Sequence, residues 1–257
     1  MGAFDWFWKA MGSSTERNDK KSRSIVAQAH ELIPLVEQLD NATLAAEVRS
    51  TVVDGAIEDK PRFLAGLSVA SHRMLGMTPF NVQNQAVLRL LEGDVIQMTT
   101  GEGKTLVGAM AATGYALTGK RVHVITVNNY LAHRDAEWMR PLVEFFGLTV
   151  SAVTEASGRK ERVVAYRCDV VYAPVTEIGF DHLRDNQITH RCQAVQVPAD
   201  VALVDEADSV LVDEALVPLV LAGSEGSQQA TGQITAAVGQ LQEGKDYTVD
   251  GLSLIHI

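Results

Sequence analysis

Hydrophobic positions divide the chain into two parts with different periods. Helix-like spacing of apolar residues runs from Ile25 to about Ile57, and a second helical pattern lies in "MTPFNVQNQAVLRLLEG". In this second pattern, Thr78 is a suitable N-cap and Gly93 is a suitable end of the helix. Residues 25–93 are therefore predicted to be a helical segment that precedes the rest of the fold.

After residue 93 the pattern changes to short apolar runs that alternate with helical segments. The predicted strands are residues 95–98, 121–127, 148–153, 170–173 and 201–204. Alternation of this kind is typical of an α/β fold with a parallel sheet and helices on both faces. Ligands of such sheets bind at the carboxyl ends of the strands, so the loops there are the first candidates for a site.

The loop after the first predicted strand has the composition of a phosphate-binding loop. It consists of Gly101, Glu102, Gly103, Lys104 and Thr105, and a helix is predicted over 105–117. Glycines let successive N–H groups turn towards an anion, and the helix adds its free N–H groups and positive dipole end. Lys104 can reach phosphates, and the Thr105 hydroxyl can ligate Mg²⁺. Met98 stands where the usual first glycine is expected, so a glycine-rich turn with a surface lysine is the alternative interpretation.

Acidic residues follow the last predicted strand, in "VALVDEADSV". A carboxylate at the end of a buried strand can hold Mg²⁺, which suits Asp205. The next carboxylate, Glu206, can orient or polarise the attacking water. The alternative is a solvated acidic helix start, where carboxylates favour the helix dipole. A phosphate loop in the same sheet favours the catalytic interpretation.

Gln83, in the first turn of the helix that starts near Thr78, is a third candidate. Its amide has both a donor and an acceptor, which can pair with the edge of adenine. Phe80 lies nearby and could line the base pocket. By its chemistry alone, Gln83 is more simply interpreted as an exposed glutamine on a helix than as a residue that reads adenine.

Composition and charge restrict the function. The chain has 257 residues, a net charge of −10, 46% hydrophobic and 21% charged residues, which suits a soluble globular protein and disfavours a dedicated nucleic-acid binder. Cys168 and Cys192 form no metal or disulfide framework, and no apolar run reaches the ~18 residues of a membrane span. Residues 1–24 are predicted to be an aromatic segment, with Phe4 to Trp8, and a polar linker. This segment could lie in a membrane interface or pack on the domain.

Several blocks together resemble the SecA family, whose members are ATPases that drive preproteins through the SecYEG channel. The blocks are "MTTGEGKTL", "VHVITVNNYLAHRDAEWMRPLVEFFGLTV", "EIGFDHLRDN" and "LVDEADSVLVDEALVPLVLAG". The resemblance covers roughly residues 25–250 and implies a RecA-like, P-loop nucleotide-binding domain with ATP and Mg²⁺ as cofactors. It implies that Gln83 reads adenine and that Gly101–Thr105 hold the phosphates. Catalysis would fall to Lys104, Asp205 and Glu206, with Thr105 and Asp205 on the metal.

The resemblance also implies an organisation and a cellular setting. The first nucleotide-binding domain would span 25–221, and residues 222–257 would begin a preprotein-crosslinking domain. SecYEG, preproteins, an anionic membrane surface and a second copy of the chain are the implied partners, at the cytoplasmic face of the membrane and in the cytoplasm. Family members are more than three times as long, so the chain is expected to be an amino-terminal fragment. Its ending "EGKDYTVDG" resembles the accessory second SecA of actinobacteria.

Two other functions remain open at this stage. Asp205 to Asp208 spell the DEAD box of nucleic-acid helicases, although the Ser-Ala-Thr element expected soon afterwards is replaced by "SVLVDEALVPLVLAG". A fold shared by both classes cannot decide between them. The chain could also bind nucleotide without turnover, because the resemblance places an arginine finger in a second domain that this sequence lacks. Weak or absent ATPase activity is therefore expected of this chain.

Overall fold

The computed structural model describes residues 14–213, 215–220, 248–250 and 253–256, with side chains over 18–213 and 215–220. The aromatic cluster predicted near the amino terminus lies outside these residues. The chain divides into two compact units, Met1–Leu219 and Val220–Ile257. In the second unit, β7 (Thr248–Asp250) pairs with β8 (Ser253–His256) in an antiparallel hairpin. The division of the chain into domains remains a prediction.

The first unit begins with helices that pack on one another. They are α1 (Ser14–Val36), α2 (Asn41–Ser50), α3 (Lys60–Leu75) and α4 (Asn81–Leu91), with a small hairpin of β1 (Val52–Val53) and β2 (Ala56–Ile57) between α2 and α3. Asp40 caps α2 by accepting from the N–H groups of Ala42 and Thr43. Fully buried Leu44, Val48 and Phe63 belong to the core that these helices share. The predicted helical segment is therefore present, although it consists of several helices.

Two details of this segment differ from the prediction. Residues 14–24, expected to be part of a linker, form the start of α1, where Asp19 and Arg23 make an i,i+4 ion pair of 2.8 Å. Helix α4 begins at Asn81 with Phe80 as its N-cap, so Thr78 does not cap it. The Thr78 hydroxyl instead lies 3.0 Å from His72 Nδ1. The helix was predicted to end at Gly93, close to its observed end at Leu91.

The rest of the unit alternates strands and helices. Its elements are α5 (Lys104–Leu117), β3 (Val122–Thr126), α6 (Asn129–Phe145), β4 (Val150–Ala152), α7 (Arg159–Ala165), β5 (Val170–Pro174), α8 (Val175–Asp185), a 3₁₀ turn (Arg191–Gln193), β6 (Val201–Val204) and a π-helical turn (Ser209–Asp213). Within the described part of the chain, four of these strands form a parallel sheet in the order β4-β5-β3-β6. Two parallel neighbours must be joined by a long crossover connection. In this unit the connections contain the helices that cover the sheet.

Helices lie on both faces of this sheet, as predicted. Alternate residues of β5 point in opposite directions: Val170 and Tyr172 join a core with residues of α5 and α6. Val171 and Ala173 join a separate core with residues of α7 and α8. The parallel sheet with a core on each face confirms the predicted α/β fold. None of the helices in the described ranges combines the length and the apolar character that crossing a membrane requires.

The first predicted strand, 95–98, is wrong. Residues 94–99 have no regular secondary structure, and the Val95 side chain is 94% exposed. Ile96 and Met98 pack instead against the helical core. An apolar run of four residues suits a strand or an extended segment equally well, and only neighbouring backbone can make it a strand. The segment leads directly into the Gly101–Thr105 loop, and β6 is an edge strand of the described sheet.

Candidate nucleotide-binding site

The glycine-rich loop turns sharply before α5. Gly101 and Gly103 have φ angles of 88° and 77°, a region that other residues rarely adopt. Gly103 is the N-cap of α5, and no side chain caps this helix. The loop closes on itself because the Glu102 carboxylate accepts a 2.8 Å hydrogen bond from the Thr99 N–H. Hydrogen bonds from Thr99 also lower the pKa of Glu102. An uncapped helix start behind a glycine turn is suited to an anion.

Gln83 joins α4 to this loop. Its Oε1 accepts a 2.8 Å hydrogen bond from the Phe80 N–H, and its Nε2 donates a 2.8 Å hydrogen bond to the Glu102 carbonyl. The side chain is only 6% exposed, so it is not the simple surface glutamine that its chemistry alone suggested. A carboxamide has two N–H donors and two acceptor lone pairs, and these two contacts use one of each. One donor and one acceptor therefore remain for a ligand.

The contact between Gln83 and the loop requires a glycine at position 103. A Cβ added to Gly103 would collide with Gln83 Nε2. Together with its positive φ, this gives the position two independent reasons to exclude a side chain. Gly103 is thus needed both for the turn and for the approach of α4 to the loop.

A cavity of about 280 Å³ opens beside Gln83. Its walls are Met77, Thr78, Phe80, Gln83, Gly103, Thr105, Leu106, Trp138 and Met139. Three of the predicted site residues, Gln83, Gly103 and Thr105, thus share one cavity, and Phe80 lines it as expected. Trp138 of α6 was not foreseen, because a tryptophan on an amphipathic helix reads as core in the sequence. The volume is near the lower end of the ~300–1,000 Å³ of ligand pockets.

The two acidic candidates lie at the end of β6. The Asp205 N–H donates to the Ile125 carbonyl at 2.9 Å, which extends the pairing of β6 with β3. Glu206 follows with a φ of 54°, unusual for a residue with a side chain, and its side chain is exposed. Strained backbone of this kind is common at functional sites. Among the described residues, neither carboxylate lines the cavity or hydrogen bonds to the Gly101–Thr105 loop.

Asp135 and Tyr172 form a polar group near Asp205 that the sequence analysis missed. Asp135, on the sheet-facing side of α6, is nearly fully buried and pairs with Arg134 at 2.7 Å. Burial raises the pKa of Asp135, against the opposing effect of Arg134, and the negative charge of Asp205 adds to the rise. The Tyr172 hydroxyl is buried and has no hydrogen-bond partner among the described residues. A carboxylate at an apolar position, between Ala132 and Ala136, was the available signal.

The chain is similar in sequence to known proteins over most of its length. A model of the SecA DEAD-like domain matches residues 7–250. The protein translocase subunit SecA 2 of Corynebacterium efficiens is 61% identical over 249 residues, covering 97% of this chain and 33% of that protein. SecA 2 of Corynebacterium glutamicum strain R is 58% identical over 250 residues (97% and 33%), and SecA 2 of Mycolicibacterium smegmatis is 51% identical over 249 residues (96% and 32%). The chain spans about a third of the length of these relatives.

Proposed function

Because the chain belongs to the SecA family, we propose that it is a Mg²⁺-dependent ATP-binding domain of a translocase motor. In the full-length protein, hydrolysis of ATP would drive preproteins through the SecYEG channel. The names of its relatives favour the accessory SecA 2 group within the family. The proposal depends chiefly on the hydrogen bond from Gln83 Nε2 to the Glu102 carbonyl. This bond joins α4 to the Gly101–Thr105 loop, and residues of both line one cavity.

In this proposal, each part of ATP is bound by a different element. The spare donor and acceptor of Gln83 pair with the adenine edge, and the N–H groups of the loop Gly101–Thr105 surround the phosphates. Glu102 shapes this loop through its bond to Thr99. The Lys104 ammonium neutralises phosphate charge. Binding is the function that these residues support most directly.

The residues for metal and water also have suitable chemistry. Mg²⁺ prefers oxygen ligands and is usually held by one or two protein groups together with substrate phosphates. The hydroxyl of Thr105, at the cavity, and the carboxylate of Asp205, at the end of β6, are ligands of this kind. A bound Mg²⁺ would neutralise charge on the phosphates. Glu206 would orient the attacking water, with its backbone held in an unusual conformation.

Turnover by this chain alone is expected to be slow. Charge builds on the transferred phosphoryl group, and an arginine finger that stabilises it is typically worth ~10³–10⁵ in rate. The family resemblance implies that this arginine comes from a second nucleotide-binding domain of the full-length protein. A nucleotide-binding chain without turnover is therefore the second candidate function. The net charge of −10 argues against a DEAD-box-like helicase and a dedicated nucleic-acid partner.

The proposed partners and cellular location of the full-length protein follow from its family. SecYEG, preproteins, an anionic membrane surface and a second copy of the chain are its proposed partners. Its location would be the cytoplasm and, peripherally, the cytoplasmic face of the cell membrane. The aromatic cluster Phe4 to Trp8, in residues 1–11, is the segment of this chain proposed to meet lipid.

Titration calorimetry with Mg·ATP tests the proposal. Lys104→Ala should weaken binding about ten- to a hundredfold, since a charge-assisted contact to phosphate is worth ~1.5–3 kcal/mol. Lys160→Ala, which removes an exposed lysine at the start of α7, should leave the affinity unchanged. Equal affinities for the wild type and Lys104→Ala would contradict the assignment of the phosphate loop. Single-turnover hydrolysis assays then separate binding from turnover. This chain should hydrolyse ATP more slowly than the full-length protein, and Glu206→Gln in the full-length protein should suppress hydrolysis while ATP stays bound.

A further inference from the structure

Trp138 has an unusual position for a tryptophan on an amphipathic helix. Its side chain is 48% exposed, while the next residue, Met139, is fully buried. Both line the cavity beside Gln83. The core of α6 consists of other residues, such as Ala132, Ala136 and Met139, so Trp138 is not required to cover the sheet. A large indole is thus held at the boundary between cavity and solvent.

Phe80 is a second aromatic wall of the same cavity. This side chain is 73% exposed, because Phe80 is the N-cap of α4 and only its backbone takes part in the contact with Gln83. Two exposed aromatic side chains, from α4 and α6, therefore line one cavity with the polar edge of Gln83. Aromatic walls with a single donor–acceptor group suit a flat heteroaromatic ring.

The size of the cavity indicates which part of a nucleotide it holds. At about 280 Å³, it is small for a complete ligand of this class but sufficient for a flat ring system. Gly103 and Thr105 also line this cavity, so it reaches the loop proposed to bind the phosphates. A base in the cavity would thus be continuous with phosphates at the loop.

We infer that Trp138 forms a wall of the base-binding part of the nucleotide site, on which the purine ring stacks while Gln83 pairs with its edge. This inference rests on the proposed ATP binding and adds α6 to the elements that recognise the base. Stacking is independent of the donor–acceptor pattern of the base. Trp138 therefore supplies affinity, and Gln83 supplies the choice of adenine.

The first test compares ligands with and without a base. Trp138→Ala should weaken Mg·ATP binding about tenfold to a hundredfold in calorimetry, the range of stacking on one aromatic side chain. The affinity for inorganic tripolyphosphate, which has no base, should be unchanged. Trp138→Phe should restore most of the ATP affinity, because it keeps an aromatic face. Tyr130→Ala is the matched control: Tyr130 is an exposed aromatic residue of α6 that does not line the cavity, and its loss should have no effect.

Fluorescence gives a direct readout. The chain has three tryptophans, so Trp6→Phe and Trp8→Phe together leave Trp138 as the single emitter. Mg·ATP should then change the emission, and tripolyphosphate should not. If wild type binds ATP but Trp138→Ala binds it equally well, the inference is overturned and the proposed function stands. If wild type does not bind ATP at all, the proposed function fails together with the inference.

Discussion

Two polar clusters of this domain use their hydrogen-bonding capacity in different ways. Between α7 and α8, the Arg162 guanidinium donates to Asp181 Oδ2 at 2.7 Å and to Glu177 Oε2 at 2.6 Å. It also donates to the carbonyls of Ser157 and Thr154. All three charged side chains are buried, and the Tyr166 hydroxyl donates to Asp181 as well. This cluster, Arg162, Glu177, Asp181 and Tyr166, is the saturated cluster.

The polar cluster around the Gly101–Thr105 loop leaves part of its hydrogen-bonding capacity unused. Gln83 uses one donor and one acceptor, Gly103 leaves α5 without a side-chain cap, and a cavity adjoins both. A buried polar group without partners is costly, so saturation indicates a structural role. Spare capacity beside a cavity indicates a place for a ligand. The two clusters lie in one domain, and each predicts a different consequence of mutation.

Breaking the saturated cluster should have the largest effect, and the effect should be on stability. Arg162→Ala leaves the buried Glu177 carboxylate without its cation and Asp181 with only the partly exposed Arg184, at 2.9 Å. Removing one partner of a buried ion pair typically costs about 3–5 kcal/mol. Urea unfolding followed by circular dichroism measures this loss. Lys160→Ala, on the same helix but exposed, should be nearly neutral. An Arg162→Ala variant as stable as wild type would show that this cluster is not structural.

A change in the phosphate-loop cluster should affect binding more than stability. Gln83→Ala removes the bonds to the Phe80 N–H and the Glu102 carbonyl without adding a charge, and in the proposed site it also removes the partner of the adenine edge. We expect ATP affinity to fall about tenfold, or ~1.4 kcal/mol, and the preference for ATP over GTP to narrow. Competition binding with both nucleotides is the measurement. Gln85→Ala, at a half-buried neighbouring position on α4, is the control. An unchanged preference in Gln83→Ala would remove Gln83 from base recognition.

His123 is an unsaturated group beside the saturated cluster. Its ring lies 5.6 Å from that of Tyr166, and its buried Nε2 has no partner among the described residues. Burial lowers the pKa of His123 below 6.5, and the charge of Arg121 lowers it further. The unfolded chain therefore takes up a proton first as the pH falls below 6.5, and the folded state loses stability until its own lower pKa is passed.

This loss should be the smallest of the three effects, a fraction of the ~1.4 kcal/mol per pH unit that one full proton gives. His123→Phe keeps an aromatic ring beside Tyr166 and removes the titrating group, so it should flatten the decline in stability below pH 6.5. Urea unfolding at a series of pH values measures it. His133→Phe, at an exposed position of α6, should leave the decline unchanged. The same decline in His123→Phe and wild type would assign the pH dependence to other groups.

Elements whose signals lie within a few neighbouring residues could be predicted from the local sequence. Continuous apolar runs predicted β3, β5 and β6, and the observed strand Val201–Val204 has the predicted bounds. The glycines before Lys104 predicted the turn at the start of α5, because only glycine adopts such φ angles without strain. Gln83 was correctly placed in the first turn of α4. The metal and catalytic roles of Thr105, Asp205 and Glu206 remain predictions.

Features that depend on contacts between residues distant in the chain could not be predicted in this way, because tertiary packing sets them. Residues 95–98 could become a strand only beside another strand, and Ile96 and Met98 pack on the helical core instead. The start of α4 moved from Thr78 to Phe80, since Gln83 accepts the Phe80 N–H. The bond from Gln83 to the Glu102 carbonyl spans 19 residues, and the cavity adds Trp138 from a third element. Periodicity records which face of a segment is buried, but only packing selects the neighbour that covers it.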